Sequence, residues 1–343
     1  MLQDKSDKSR WNAPCGASTR MQNLIQRHTI LNTIREDLNS QGFVEIETPL
    51  VVKSTCPDLY IDSMHADGGY LATSTEYQIK RMIVGGFDKV YTLTKNFRAE
   101  DNGRYHSSEF TMLEWARPHG TLQTIEEDTV RFIRKVFTKL YPGIISIQTP
   151  TGQEIDFISK EWESISVREA FKKYMQMDEL EDFSLQPLLR SAQKAHIDIP
   201  TWCQAEATVL ISYLMDQLQC HLGQGTPTFL QEWPAYLTTS APPSLKDPYA
   251  AERTELYIGG IEIANGFPFL TDATLQEKLF QEKLEMRQQA GKEPVLIDAR
   301  LIAALKEGMP SGAGMALGID RLVMLLVGAT RIADVQAFSW DEL

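Results

Sequence analysis

Leu24, Leu31, Ile34 and Leu38 recur at helical spacing, and Gly42 follows as a stop signal, so the pattern predicts a helix over Met21–Gln41. Phe43–Thr48 then alternates Val44 and Ile46 with Glu45 and Glu47, the mark of a strand with two unlike faces, and Pro49 suits its end. A second strand pattern covers Lys89–Phe97. A polar, glycine-containing loop, Arg98–Ser108, follows it, and Glu109–Trp115 returns, which predicts a long antiparallel hairpin. Leu122, Ile125, Ile133, Val136 and Leu140 make Thr121–Leu140 an amphipathic helix. Residues 165–225 are helical in pattern and carry no chemical motif, so they are expected to form an insertion packed on the core. Strands return at Glu255–Asn265 and Gly314–Ile319, and Leu322–Val327 begins a closing helix. Strands joined by hairpins, with helices between and at the ends, predict an α+β fold with an antiparallel sheet flanked by helices, not a doubly wound parallel one.

No repeat and no low-complexity linker divides the chain, so a single domain over residues 21–343 is expected, after a flexible tail at 1–20. The longest apolar run near the C-terminus, Leu322–Ala329, is far short of the roughly 20 residues that span a bilayer, and Met1–Arg20 has no apolar signal-peptide core. The four cysteines form no CxxC pair. A cytoplasmic protein with free thiols and no membrane contact is the expectation. The net charge of −12 argues against affinity built on phosphate neutralisation, and so against tRNA as a partner.

Three segments carry the chemistry. The first is Phe97-Arg98-Ala99-Glu100, with Arg104-Tyr105-His106 and Glu109–Glu114 after it. The second runs from Glu255 through Glu262 and Asn265 to Phe267, and the third from Gly312 through Ala316 and Gly318 to Arg321. No GxxxxGK[ST] loop and no strand–GxGxxG–helix unit is present, so a nucleotide site must be built otherwise. A site that joins a carboxylate to the α-phosphate of ATP needs fixed positive groups where charge builds on the phosphoryl oxygens. Arg98 at a strand end suits a fork onto a carboxylate and a phosphate. Glu255 and Glu262, seven positions apart, suit Mg²⁺ shared with phosphate oxygens. Phe110 and Arg321 suit the two faces of a flat base. Singly, each feature reads as an ordinary ion-pair ladder or packing device; their conjunction in this order points to adenylation.

The segment FRAED…RYHSSEFTMLEW resembles motif 2 of the class II aminoacyl-tRNA synthetases, GAGMALGIDRLVML resembles their motif 3, and Met21–Gln41 with GFVEIETPLV resembles the dimer-forming motif 1. The lysyl branch carries the resemblance furthest, through GRYHSSEFTMLEW, IGGIEIANGF and ALGIDRLVML. Only about 20 residues precede motif 1, where lysyl-tRNA synthetases have an anticodon-binding domain, and Ala316 stands where they tend to have glycine. Both features resemble the truncated branch that ligates (R)-β-lysine to elongation factor P.

That resemblance implies a homodimer, ATP and Mg²⁺ as cofactors, and roles for particular residues. Arg98 would hold the α-phosphate and the substrate carboxylate, and Arg98 and Arg321 would be catalytic. Glu100 would read the adenine amino group, Phe110 would stack on adenine, and His106 and Arg321 would contact phosphates. Ser107, where the family has asparagine, and Ile263 would complete the ATP site, with Glu255 and Glu262 as metal ligands. Ser74, Thr75 and Glu76 resemble the substrate-binding SPE segment, with Glu76 on the substrate amino group. Glu114, Asn265, Phe267 and Ala316 would line the substrate pocket, and Gly318 would belong to its ATP-binding part.

Two positions depart from the family. Ala116 and Phe269 stand where a tyrosine and a glutamate hold the distal ammonium of a lysine-type substrate. Losing a carboxylate partner to a buried ammonium costs on the order of 3–5 kcal/mol. The main expectation is an amino-acid adenylate transferred to a lysine of elongation factor P. The departures leave a second open: a stand-alone ligase for a less cationic amino acid and another acceptor. A lysyl-tRNA-synthetase-like enzyme and a non-catalytic paralogue are disfavoured, the former by the acidic charge and the latter by intact Arg98, Glu255, Glu262 and Arg321.

Overall fold

A computed structural model describes residues 17–149 and 152–343. Most of the expected tail therefore lies outside the described residues. Its last four positions do not behave as a tail, because helix α1 spans Ala17–Ser40. Arg20 is fully buried there, bonded to Glu342 at 3.0 Å and to the carbonyls of Ala333 and Ala337. The buried stripe of α1 combines Ile30, Ile34 and Leu38 with Asn23, Thr33 and Asp37, whereas Leu24 and Leu31 are only half-buried. Gly42 ends the helix region at φ +80°, a conformation that glycine adopts without strain.

The elements that follow are β1 (Val44–Glu45), β2 (Val51–Val52), β3 (His65–Ala66), β4 (Gly69–Leu71), α2 (Glu76–Val84), β5 (Val90–Phe97), β6 (Glu109–Pro118) and α3 (Leu122–Leu140). Next come β7 (Ser146–Gln148), β8 (Glu154–Asp156), β9 (Glu163–Ser166), α4 (Val167–Met175), α5 (Leu185–Lys194) and α6 (Ala207–Gln219). The last third holds β10 (Thr228–Pro234), β11 (Ala250–Ile258), β12 (Ile261–Pro268), α7 (Ala273–Gln289), α8 (Ala299–Gly308), β13 (Gly312–Gly318) and α9 (Ile319–Leu326).

The main sheet has eight strands in the order β1-β5-β6-β13-β12-β11-β10-β9. Its six inner strands run antiparallel to one another, as expected, but both edge pairs, β1 with β5 and β10 with β9, are parallel. The strand expected over Phe43–Thr48 shrinks to the short edge strand β1. The strand expected over Glu255–Asn265 is two strands, β11 and β12, joined by Gly259 and Gly260 at φ +60° and +77°. Gly314–Ile319 becomes Gly312–Gly318, and the closing helix starts at Ile319 instead of Leu322. The helical region is broadly where residues 165–225 placed it, with its own apolar cluster around Phe171, Leu188, Leu214 and Leu218. It begins from β9, so it is continuous with the sheet edge.

Strand alternation separates the sheet's two faces. Leu113 and Trp115 of β6 and Ala313, Met315 and Leu317 of β13 pack into one core with α1, α3 and α9. The intervening residues, Glu114 and Ala116 of β6 and Gly314, Ala316 and Gly318 of β13, line a cavity on the other face. Helices α2, α7 and α8 wall that side through a third cluster that includes Tyr77, Phe280, Leu301, Ala116 and Phe269.

Candidate active site

The cavity encloses about 470 Å³ over the central strands. The long hairpin β5–β6 supplies one side. The loop between its strands is closed by the Arg98 N–H bonding to Ser108 O at 2.9 Å and anchored by the Ala99 N–H bonding to Asp62 O at 2.8 Å. This places Arg98 at the end of β5, with its guanidinium carbon 5.2 Å from the Phe110 ring centre. Arg98 Nε is buried and has no hydrogen-bond partner. A buried donor without an acceptor costs free energy unless a ligand supplies one. Arg98 is thus built to receive an anionic oxygen.

Opposite it, α9 begins where β13 ends and delivers Arg321. Its Nη1 donates to Glu262 O at 2.9 Å and approaches Glu262 Oε2 at 3.3 Å; its Nη2 donates to His106 Nε2 at 2.5 Å. Burial lowers the His106 pKa, and the Arg321 charge lowers it further, so the ring accepts that bond as a neutral base. The neighbouring Asp320 is buried and fixes the strand beside it. Its Oδ2 accepts from Thr111 N at 2.7 Å, and its Oδ1 pairs with Arg27 of α1 at 2.5 Å. One carboxylate thereby ties the first and third of the segments singled out in the sequence to helix α1.

Glu255 and Glu262 come from adjacent strands, and both line the cavity. Burial pushes the Glu255 carboxyl up to about 7; Arg253 opposes the shift, and the charge of Glu262 adds to it. Glu255 also accepts the Tyr257 hydroxyl at 2.8 Å and is paired with Arg253, which donates to Asn265 Oδ1 at 2.9 Å. Two carboxylates from adjacent strands, one of them buried, form a hard-oxygen donor set suited to a divalent cation. Among the described residues no cluster of three or more His, Cys, Asp or Glu side chains stands as a complete metal site. The pair thus fits a cation that takes its remaining ligands from phosphate or water.

The far end of the cavity holds Glu114. Its Oε1 accepts from Ser74 Oγ and from Thr75 N, each at 2.8 Å. Burial raises its carboxyl to about 7 in spite of those bonds. Glu76 opens α2 and pairs with Lys80 at 2.6 Å. Asn265, Phe267 and Ala316 complete the lining here, and Ser107, Ile263 and Gly318 line the cavity near Arg321. Ala116 and Phe269 form an apolar end wall. A β-carbon placed on Gly312 would lie 2.5 Å from the Phe269 ring, so the ring packs directly on strand β13.

Seventeen of the nineteen expected site residues therefore line one cavity. Thr75 and Glu100 do not. Thr75 is buried and acts through its backbone N–H and through a hydroxyl contact with Thr92 at 2.8 Å. Glu100 is exposed at φ +59°, in the loop after β5. Sequence reasoning missed Lys80, Arg253 and Lys283, three cavity-lining cations. Lys283 donates to Tyr236 O at 2.7 Å, and burial lowers its pKa. A lysine or arginine on an amphipathic helix or edge reads as a solvated face, and only the fold turns it inward.

A family model described as tRNA synthetases class II (D, K and N) matches residues 9–342. A protein from Salmonella arizonae named elongation factor P–(R)-β-lysine ligase is 36% identical over 338 residues, covering 95% of this chain and 97% of its own. Proteins of the same name from Edwardsiella ictaluri and from an Enterobacter species are 34% and 35% identical, covering 98% and 95% of this chain and 99% and 97% of theirs.

Proposed function

The chain belongs to the class II tRNA synthetase family (D, K and N), and from that premise we propose that it activates a lysine-type amino acid with ATP and transfers it to a lysine side chain of elongation factor P. The observation that carries this reading is Arg98. Its unpartnered, buried Nε lines the same cavity as Glu76 and Glu114, which share the Ser74 hydroxyl, and as Arg321 with its partners His106 and Glu262. A cavity that brings these acids and arginines together with an unpartnered guanidinium donor suits an ammonium-bearing carboxylate beside a triphosphate.

In the first half-reaction a carboxylate oxygen of the amino acid attacks the α-phosphorus. The new C–O–P bond forms as the bond to the β-phosphate oxygen breaks, releasing pyrophosphate. Arg98 stabilises the charge on the α-phosphoryl oxygens and orients the carboxylate. Arg321 and the neutral His106 hold the distal phosphates. Glu255 and Glu262 would hold Mg²⁺, which when bound supplies positive charge to the phosphate oxygens. Phe110 offers its ring to adenine. In the second half-reaction the acceptor lysine attacks the acyl carbon as a free amine. The amide forms, AMP leaves, and the displaced proton passes to solvent or phosphate.

The names of the relatives favour this reading over a stand-alone ligase with another acceptor. Twofold pairing is proposed through α1 and β1, where Met21, Ile25 and Val44 are 53%, 58% and 50% exposed. No described helix is long and apolar enough to cross a membrane, and a cytoplasmic location and an acceptor other than tRNA are part of the proposal. Intact-mass analysis of elongation factor P incubated with the chain, ATP, Mg²⁺ and (R)-β-lysine tests it. One added β-lysyl group on a single lysine is expected. Unmodified elongation factor P alongside measurable adenylate formation would assign the chain another acceptor.

A further inference from the structure

Lys80 is a charged side chain that the chemistry above leaves unused. It lies on the second turn of α2, is 2% exposed, and lines the same cavity as the reacting groups. Its Nζ bonds Glu76 Oε1 at 2.6 Å and sits 5.5 Å from the centre of the Phe267 ring. The spacing of four places both side chains on one helical face. Here, unlike in an exposed i,i+4 pair, the ammonium is withdrawn from water while the carboxylate remains partly open at 22% side-chain exposure. Glu76 thus meets the cavity with one oxygen already bound from behind. Its backbone N–H is also taken, by Ser74 Oγ at 3.1 Å, and that same hydroxyl donates to Glu114. The two acids of the amino-acid end are therefore set against each other by one short network, in which Lys80 is the sole side-chain cation.

We infer that Lys80 is a positioning residue of the amino-acid pocket, acting through Glu76: it fixes that carboxylate against the Phe267 wall so that its remaining oxygen reads the substrate amino group. The inference rests on the reading of this cavity as an adenylation site. It accounts for a buried lysine that would otherwise carry only a desolvation cost. It also separates Glu76, held by a side-chain cation, from Glu114, held by Ser74 and a backbone N–H.

The test is amino-acid-dependent ATP–pyrophosphate exchange in the full-length chain, comparing Lys80→Met, Lys80→Arg, Glu76→Gln and the double variant. Loss of one member of a buried pair releases the other from its orientation. Lys80→Met should therefore raise the amino-acid KM by about tenfold or more while the ATP KM moves by less than about twofold. Lys80→Arg keeps the charge and should recover most of the loss. Because Lys80 acts through Glu76, the double variant should match Glu76→Gln within about twofold. An unchanged amino-acid KM in Lys80→Met, or a double variant about tenfold worse than Glu76→Gln, overturns the inference. The double variant removes both charges and leaves no unpaired buried group, so it carries the comparison even if Lys80→Met does not fold. Absence of exchange in the unmodified chain with every amino acid would instead reject the adenylation reading itself.

Discussion

The Ser74 hydroxyl donates to Glu114 Oε1 at 2.8 Å, joining the turn before α2 to the middle of β6 across the floor of the cavity. With Thr75 N at the same distance, it occupies one carboxylate oxygen and leaves the other for a ligand. Burial nevertheless raises the Glu114 carboxyl from 4.5 to about 7. The folded chain then holds a proton that the unfolded chain releases near its ordinary value. Stability is therefore lost as pH rises from about 4.5 to about 7 and is flat above that. Glu114→Gln should remove a cost on the order of 3 kcal/mol at pH 8 and little at pH 4, read from denaturant midpoints at the two values. In exchange assays an ammonium substrate needs the ionised form, so its KM should fall as pH rises through 7 and lose that dependence in the variant.

Arg98→Ala should leave the fold intact, because the side chain gives up only its contact with Phe110 and an unpartnered Nε. Exchange should drop by roughly a hundred- to a thousandfold, the scale of losing one fixed donor on a developing oxyanion. Near-normal exchange would remove Arg98 from the reaction.

Chelation of divalent cations should abolish exchange, and added Mg²⁺ should restore it. Glu262→Gln keeps the size of the side chain and removes one of the two neighbouring carboxylates. It should raise the half-saturating Mg²⁺ concentration by about tenfold or more. An unchanged Mg²⁺ titration would place the cation elsewhere.

The Phe269 ring sits where any β-carbon on Gly312 would go, and the same β-carbon would lie 2.5 Å from Arg117 O. Gly312→Ala has backbone on one side and a packed ring on the other, so it should destabilise the chain by about 1–3 kcal/mol. Thermal or denaturant unfolding measures this. An unaltered midpoint would mean that the end wall is loosely packed and free to accept a polar substrate group.

The parts of the fold legible in the sequence are those where one residue type repeats on one face. The β5–β6 hairpin was readable because apolar alternation stops at Phe97 and resumes at Glu109. Helix α3 was readable because Ile125, Ile133 and Val136 form a stripe, all fully buried. The start of helix α1 is not legible in the sequence because its inner face uses polar anchors, Arg20 on Glu342 and Asn23 on the carbonyl of Asp334. The turn between β11 and β12 was hidden because Tyr257, Ile258 and Ile261 all suit strands, and only two left-handed glycines break the run. Within the site, the motif residues were legible from their order along the chain. The charge partners Lys80 and Arg253 were not, since partnership across a sheet or into a cavity has no spacing in the sequence. Ala116 and Phe269 depart from the family in sequence, and the fold gives them an apolar wall made with Phe280 and Tyr77.

ATP–pyrophosphate exchange across a panel of α- and β-amino acids tests the central claim most directly, since it reads carboxylate activation without any acceptor. Exchange that requires Mg²⁺ and is strongest with lysine-type amino acids, (R)-β-lysine foremost, is the predicted result. No exchange with any amino acid would contradict the account.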